Sequence, residues 1–372
     1  MNPKYTRPES PVPSKWPSGP AYIYIEDAAY ESTSLVSTLS WRDFIKDERL
    51  RKVIETALNN NRDLRLATLN VERARAYYGI QRAELLPSAN ATGSWYQERV
   101  PPDLSSTGSV LKSERYDVNL GIASWEIDFF GRIRNLKDNA LEQYLATDEA
   151  RRSAQIMLIS TSSQVYLTLA ADKEALQLVI STLKAQENSY MLIKKRYEVG
   201  FASELDLRRA QSQVDTARGD VARYTQLVAQ GENALNLLVG APVPQELLPI
   251  NLKSVIPPQE FYAGLSSEAL LQRPDILAAE HQLKAANANI GAARAAFFPR
   301  IALTALAGTA SADLSGLFKS GSGTWTFAPQ IIMPIFDART WYAYDVTKVE
   351  KEMSIAEYEK AIQTAFREVA DT

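Results

Sequence analysis

The chain has 372 residues, 45% of them hydrophobic and 23% charged, with a net charge of −3 and a pI near 5.6. That balance gives no support to a nucleic-acid-binding reading, which would want a basic face. The absence of cysteine excludes disulfides, thiol catalysis and Cys-based zinc sites. No apolar run reaches the roughly 18 residues of a transmembrane helix.

The first 20 residues carry six prolines, at Pro3, Pro8, Pro11, Pro13, Pro17 and Pro20, and read as the start of an extended arm over 1–40. A short helix is expected from Trp41 to about Asn59. A second runs from Asp63 to Leu86 and is ended by Pro87. The texture then changes. Ala89–Gln97 and Tyr116–Ile127 alternate with strand period, with Val118, Leu120 and Ile122 on one face and Asn119, Gly121 and Ala123 on the other. The stretch between them, Val100–Arg115, is rich in Pro, Ser and Gly and is expected to be a solvated loop.

Between Gly131 and Gly200 there is neither glycine nor proline, which predicts one unbroken helix of 67 residues, Ile133–Val199. At ~1.5 Å per residue it would run about 100 Å. Leu176, Val179, Leu183, Tyr190, Ile193 and Tyr197 fall at coiled-coil spacing. Its end reads as a tight reversal. Gly200 suits a left-handed C-cap, and Ser203 suits the N-cap of a helix to Val239, with Asp206 at the third position. Neither that helix, of about 37 residues, nor the one before the strands, of about 24, covers the long one alone. Stacked end to end, the two would nearly match it.

An internal repeat runs at a spacing of 212. Ala57-Leu58, Asp63, Ala74, Ala76, Gly79, Ala83 and Pro87 recur as Ala269-Leu270, Asp275, Ala286, Ala288, Gly291, Ala295 and Pro299. Strand texture returns at Ile301–Gly308. A Ser/Gly-rich loop, Ser311–Gly323, follows, and then a fourth strand with Trp325, Phe327 and Ile331 on one side and Thr326, Ala328 and Gln330 on the other. Pro334–Arg339 echoes Asp128–Arg132, and a last helix starts near Thr340. Repeat symmetry implies that this helix is a second long one, of which roughly 80 to 100 further residues would lie beyond Thr372. Ala285, Ala286, Ala288, Ala292, Ala293, Ala295 and Ala296 form a seam that permits close helix packing.

Four strands cannot close a barrel, which needs about 8, so a membrane-barrel reading requires several copies. The competing reading of the pattern is a soluble sheet on a coiled-coil rod. No catalytic set appears, and no glycine-rich phosphate loop precedes a helix in strand context. Neither cofactor nor metal is expected. The one histidine, His281, has no second histidine to join it and reads as a packing residue.

Several stretches carry a resemblance along the whole chain: Pro3–Pro8, Trp41–Phe44, Asn61–Arg65, Trp125–Arg132, Leu271–Ile276 and Ala288–Pro299. In these the chain resembles the TolC family of bacterial outer-membrane efflux channels, in its OprM-like lipoprotein branch. The resemblance implies a mainly α fold with a β-barrel part. Long antiparallel helices would form an α-barrel, and four strands per protomer would join a 12-stranded barrel in a homotrimer. It implies an equatorial region at 41–62 and 240–268 and a periplasmic tunnel domain at 63–87, 131–239, 269–299 and 338–372. Barrel strands with extracellular loops would occupy 88–130 and 300–337. The expected partners are a periplasmic adaptor protein, an inner-membrane RND transporter driven by protons, and outer-membrane lipid through an acyl anchor upstream of Met1. The implied function is a passive, non-enzymatic exit duct for drugs and other amphiphilic small molecules. A metal-ion or protein export duct, or a rod without a pore, are the alternatives. The turn Val199, Gly200, Phe201, Ala202, Ser203, Glu204, Leu205 and Asp206 is the expected adaptor-docking tip. Val118, Leu120, Ile122, Trp325, Phe327 and Ile331 are the expected lipid-facing residues.

Overall fold

Glycine, proline and capping residues place nearly every element boundary in the computed structural model. It describes residues 3–13, 16–17, 40–258 and 267–371. The rest of the arm expected over 1–40, residues 259–266 of the expected equatorial stretch, and Thr372 lie outside the described residues. Helices α1 (Trp41–Phe44), α2 (Glu48–Asn60) and α3 (Arg62–Ala83) precede strands β1 (Ala89–Val100) and β2 (Leu111–Ile127). Helix α4 (Arg132–Glu198) has 67 residues and α5 (Glu204–Val239) has 36. Helix α6 (Pro274–Ala295), strands β3 (Arg300–Ser311) and β4 (Gly323–Ile332), and α7 (Ala338–Ala370) complete the order.

The single helix expected from Trp41 to Asn59 is two. Asp47 breaks it, accepting from Leu50 N at 2.8 Å as the N-cap of α2 and from Ile256 N at 3.2 Å. The loop expected at Val100–Arg115 is shorter, because β2 begins at Leu111 and β1 runs to Val100. Backbone pairing with β1 carries polar residues 111–115 into the strand, and side-chain alternation does not report such pairing.

The chain divides into two units. One comprises Met1–Val12, Val71–Thr147 and Ile276–Ala365, the other Pro13–Asn70, Asp148–Asp275 and Phe366–Thr372. In the second unit α4 and α5 form an antiparallel hairpin. Residues Leu207, Ala210, Val214, Ala217, Val221, Tyr224, Val228, Gly231 and Leu235 of α5 alternate by threes and fours without a slip, a strict 3.5-residue period. Ion pairs Arg218–Glu187 (3.1 Å) and Lys173–Glu232 (2.9 Å) share one register, their residue numbers summing to 405 in both cases. Two heptads therefore pass without a shift. Below them Leu158, Tyr166 and Leu169 of α4, Leu235 and Val239 of α5, and Leu50, Val53 and Ile54 of α2 form a buried core. Burial there pushes the Tyr166 hydroxyl up to about 12, with a further push from the Asp47 carboxylate. Gly240 (φ +74°) ends α5 where a Cβ would fall 2.6 Å from the Asn60 carbonyl oxygen.

In the first unit the long helix has a partner the sequence did not indicate. Pairing with the helix just before the strands was expected, and α3 is half-buried along one stripe, Leu64, Ala67, Val71, Ala74, Tyr78 and Gln81, at coiled-coil spacing. The start of α4 also packs on α6. Asn139 Nδ2 donates to the Ala285 carbonyl at 2.8 Å, and a Cβ on Gly291 would fall 2.5 Å from Asn135 Oδ1. Helices α3 and α6 are repeat copies, displaced by 212 at both ends (62 to 274, 83 to 295). They carry the same small-residue spacing, so length and pattern along α3 do not reveal the contact with α6. Helix α6 also meets α7, with Arg294 Nε donating to Tyr344 Oη at 3.1 Å and the Phe297 and Trp341 rings at 4.8 Å. It thus has neighbours on two sides and buries ten residues, among them Ala285, Ala288, Ala292 and Ala295 of the predicted seam.

The four strands form one antiparallel sheet in the order β1-β2-β3-β4. A bulge between Ile122 and Trp125 inserts one residue into β2. Asp128 then starts α4, accepting from Ile133 N (3.2 Å) and Arg134 N (2.9 Å), with Gly131 at φ +79° making the corner. Asp337 accepts from Arg339 N at 3.0 Å at the corresponding corner before α7.

Candidate functional site

The turn between α4 and α5 is built by backbone chemistry. Gly200 takes φ +85°, its N–H donates to the Tyr197 carbonyl (2.9 Å), and Phe201 N donates to the Arg196 carbonyl (2.7 Å). This pair of bonds is a Schellman motif and satisfies the last carbonyls of the long helix. Ser203 and Asp206 then exchange bonds. Asp206 N donates to Ser203 Oγ at 3.1 Å and Ser203 N to Asp206 Oδ2 at 3.1 Å, a capping box. The Ser203 hydroxyl and backbone N–H hold the Asp206 carboxyl below its usual pKa. Lys195 and Arg196 in the last turn of α4, and Glu204 and Asp206 in the first turn of α5, complement the two helix dipoles.

These bonds fix the backbone and leave the apolar side chains free. Val199, Phe201 and Leu205 are 67%, 77% and 58% exposed, and Ala202 is half-buried. All eight residues expected in the turn are thus together, with three apolar side chains presented on a rigid scaffold.

The sheet is the second candidate. Opposed residues of antiparallel strands share a face. Val118 lies opposite Gly93 and Thr309, and Leu120 opposite Ala91 and Ala307. Ile122 lies opposite Ala89 and Ala305. Ala305, Ala307 and Ile301 in turn face Phe327, Trp325 and Ile331. The register therefore puts all six expected lipid-facing residues on one face, and Trp325 is 79% exposed there. Farther toward the β1–β2 loop the same face carries Trp95 and Tyr116, stacked with ring centroids 6.4 Å apart, and then Gln97 bonded to Glu114. On β3 the apolar stretch spans ten steps, from Ser311 opposite Tyr116 to Ile301 opposite Ile127. At about 3.3 Å per residue and a tilt of about 40° it is about 25 Å tall, the height of an outer-membrane apolar band. The other face carries Asn90, Thr92, Asn119, Thr304, Thr326 and Gln330. Among the described residues strands β1 and β4 are both edges, and Pro329 in β4 is tolerated at one.

A profile of the family described as "Outer membrane efflux protein" matches residues 53–241 and 265–372. The chain belongs to that family. It is 50% identical over 371 residues to the toluene efflux pump outer membrane protein TtgF of Pseudomonas putida, covering 99% of this chain and 77% of that one. It is 47% identical to the antibiotic efflux pump outer membrane protein ArpC of Pseudomonas putida, covering 99% of this chain and 76% of that one. The crystal structure of the open state of the Neisseria gonorrhoeae MtrE outer membrane channel superposes with a TM-score of 0.85 at 38% identity. That match covers 100% of this chain and 80% of MtrE. The protein is accordingly an outer-membrane efflux component of mainly α architecture with a β-barrel part.

Among the described residues no group of His, Asp and Glu is placed to hold a metal ion, and no helix is long and apolar enough to cross a membrane. His281 Nδ1 lies 2.6 Å from Glu142 Oε2, so the lone histidine joins α6 to α4. Sequence reasoning missed Glu280. It is buried in α6 and receives Arg7 Nη2 (2.5 Å), Tyr5 Oη (3.2 Å) and Lys284 Nζ (3.0 Å), while Asn287 Nδ2 bonds the Pro3 carbonyl (2.8 Å). Burial opposes the charge on Glu280, but the bonds from Arg7 and Lys284 outweigh it and lower its pKa. The only sequence signal for this clamp was a polar Glu in an alanine-rich helix.

Proposed function

We propose that the protein is a passive, trimeric exit duct that performs no chemistry and carries drugs and other amphiphilic small molecules outward. The observation that carries this reading is the four-stranded sheet, with one apolar face, one polar face and both edges open. Such a sheet cannot close alone, whereas three copies supply 12 strands and remove every edge. Helix α3 supports the same count. It repeats α6, which sits between α4 and α7, yet among the described residues it lacks a neighbour for its small-residue face. The α7 of an adjoining copy is the equivalent occupant.

In this reading 88–130 and 300–337 form the barrel with its extracellular loops. The stretches 63–87, 131–239, 269–299 and 338–372 form the periplasmic helical part, and 41–62 with 240–268 the equatorial region. The turn Val199–Asp206 docks a periplasmic adaptor, which joins the duct to an inner-membrane RND transporter that supplies the energy. Small-molecule cargo is favoured by relatives named for toluene and antibiotic efflux.

Planar-bilayer recording of the purified protein, together with susceptibility of a deletion strain, tests the proposal. A conducting trimer, and a strain sensitised to dyes, detergents or solvents, are expected. An assembled protein without conductance would favour a rod without a pore, and unchanged susceptibility would remove the small-molecule cargo.

A further inference from the structure

The polar face of the sheet distributes charge unevenly. From Ala302, opposite Glu126 and Gln330, to Ala310, opposite Asp117, β3 takes eight steps. At about 3.3 Å per step and a tilt of about 40° this is about 20 Å of wall. Between those two rows every residue on this face is neutral: Asn90, Thr92, Asn119, Thr304, Thr324 and Thr326, with glycine, alanine and leucine filling the remainder. Charge returns only at the ends. At the helix end Glu126 is bound by Arg132 through two bonds of 2.8 Å. At the loop end Arg115 and Asp117, two residues apart and on the same face, form a second bidentate pair. Arg115 Nε and Nη2 donate to Asp117 Oδ1 at 2.9 and 2.8 Å, and Nε lies 3.0 Å from Oδ2. The Asp117 carboxylate is largely covered, whereas the Arg115 side chain is mostly exposed. The next charge outward on this face is Glu98, opposite Ser113.

We propose that the Arg115–Asp117 pair keeps the loop end of the barrel lumen free of charge selectivity. Each copy places one compensated pair where a hydrogen-bonding but neutral passage about 20 Å long opens toward the loops. Compensation lets cations, anions and zwitterions pass alike. Loss of either partner leaves a ring of like charges facing the pore, and rings of charged side chains confer ion selectivity. The inference rests on the trimeric-duct reading, since a lumen exists only if the sheet closes.

The test is reversal potential in planar bilayers under a KCl gradient near 10 mM, where charges act over about 30 Å. Asp117→Asn should shift the permeability ratio toward chloride and Arg115→Gln toward potassium, each by at least about twofold. The double variant should return to the native ratio. At 1 M KCl, with a screening length of about 3 Å, both shifts should vanish. Arg115→Cys offers a control independent of folding, because the chain has no other cysteine. After assembly, a thiosulfonate bearing an ethylammonium group should restore the native ratio. If the native protein conducts and both single variants assemble with an unchanged ratio, the inference is wrong and the duct stands. If the modified Arg115→Cys protein keeps its altered ratio, the inference is equally wrong. A native protein that does not conduct overturns the duct, and the inference with it.

Discussion

Phe201 shows what one residue contributes at the turn. Its N–H is spent on the Schellman bond to Arg196, but its ring is 77% exposed. Phe201→Asp should therefore abolish efflux while native gels show an unchanged trimer and melting temperature. Normal efflux by that variant would remove the turn as the docking point. Gly200→Ala acts on the backbone instead, because no atom lies within 4 Å of the added Cβ and only the φ of +85° is strained. A local loss of about 1–2 kcal/mol is expected, read as faster amide exchange at the end of α4. Glu280 belongs to the same scale. Its pKa is lowered in the folded state, so its contribution is present above the unfolded value of about 4.3 and is lost as pH falls through the lower folded value. Protease cutting of residues 3–13 should accelerate below about pH 4, and Glu280→Gln should be cut rapidly at pH 7 and show no further acid step. An unaltered acid step in that variant would assign it to another group.

Elements differ in how openly the sequence declares them. The 67-residue helix was legible because breakers stop at Gly131 and resume at Gly200. The boundary at Asp47 was not, because an N-cap inside a short helical stretch looks like any other aspartate until Leu50 and Ile256 donate to it. The partners of the repeated helices were hidden for a different reason, since α3 and α6 share one pattern and differ only in surroundings. That difference is testable with paired substitutions. Gly291→Ala meets Asn135 directly and should cost about 1–3 kcal/mol in the protomer. Gly79→Ala meets nothing within 4 Å, so the protomer should keep its stability. If α3 receives a helix from an adjoining copy, Gly79→Ala should lower the trimer fraction on native gels, and Gly79→Leu should lower it further. Full trimer with Gly79→Leu would place the inter-copy contact elsewhere.

For the molecule as a whole, the register of the sheet makes the strongest claim. Adjacent residues of β2 face opposite solvents, lipid and water, if the sheet is part of a barrel. The cysteine-free background makes a scan direct. In whole cells Asn119→Cys should react with a small water-soluble thiol reagent, whereas Leu120→Cys should react only with a lipid-soluble one. The pattern should invert across the bulge, where Trp125 rather than Ser124 returns to the face of Ile122. Equal labelling of Asn119→Cys and Leu120→Cys by the water-soluble reagent would describe a sheet that never enters a membrane.

Composition, breakers and periodicity by themselves determined the element types, the long helix, the capping of the turn, the 212-residue repeat and the two textures of the strands. These are local properties, set by backbone sterics and by side-chain spacing along one element. Only the tertiary structure decided that the long helix also packs against α6, where β2 begins, and that residues from four strands share one apolar face. It alone brought Arg7 and Tyr5 to Glu280, more than 270 residues away. Those outcomes depend on pairing between distant segments, which spacing along a single element does not encode.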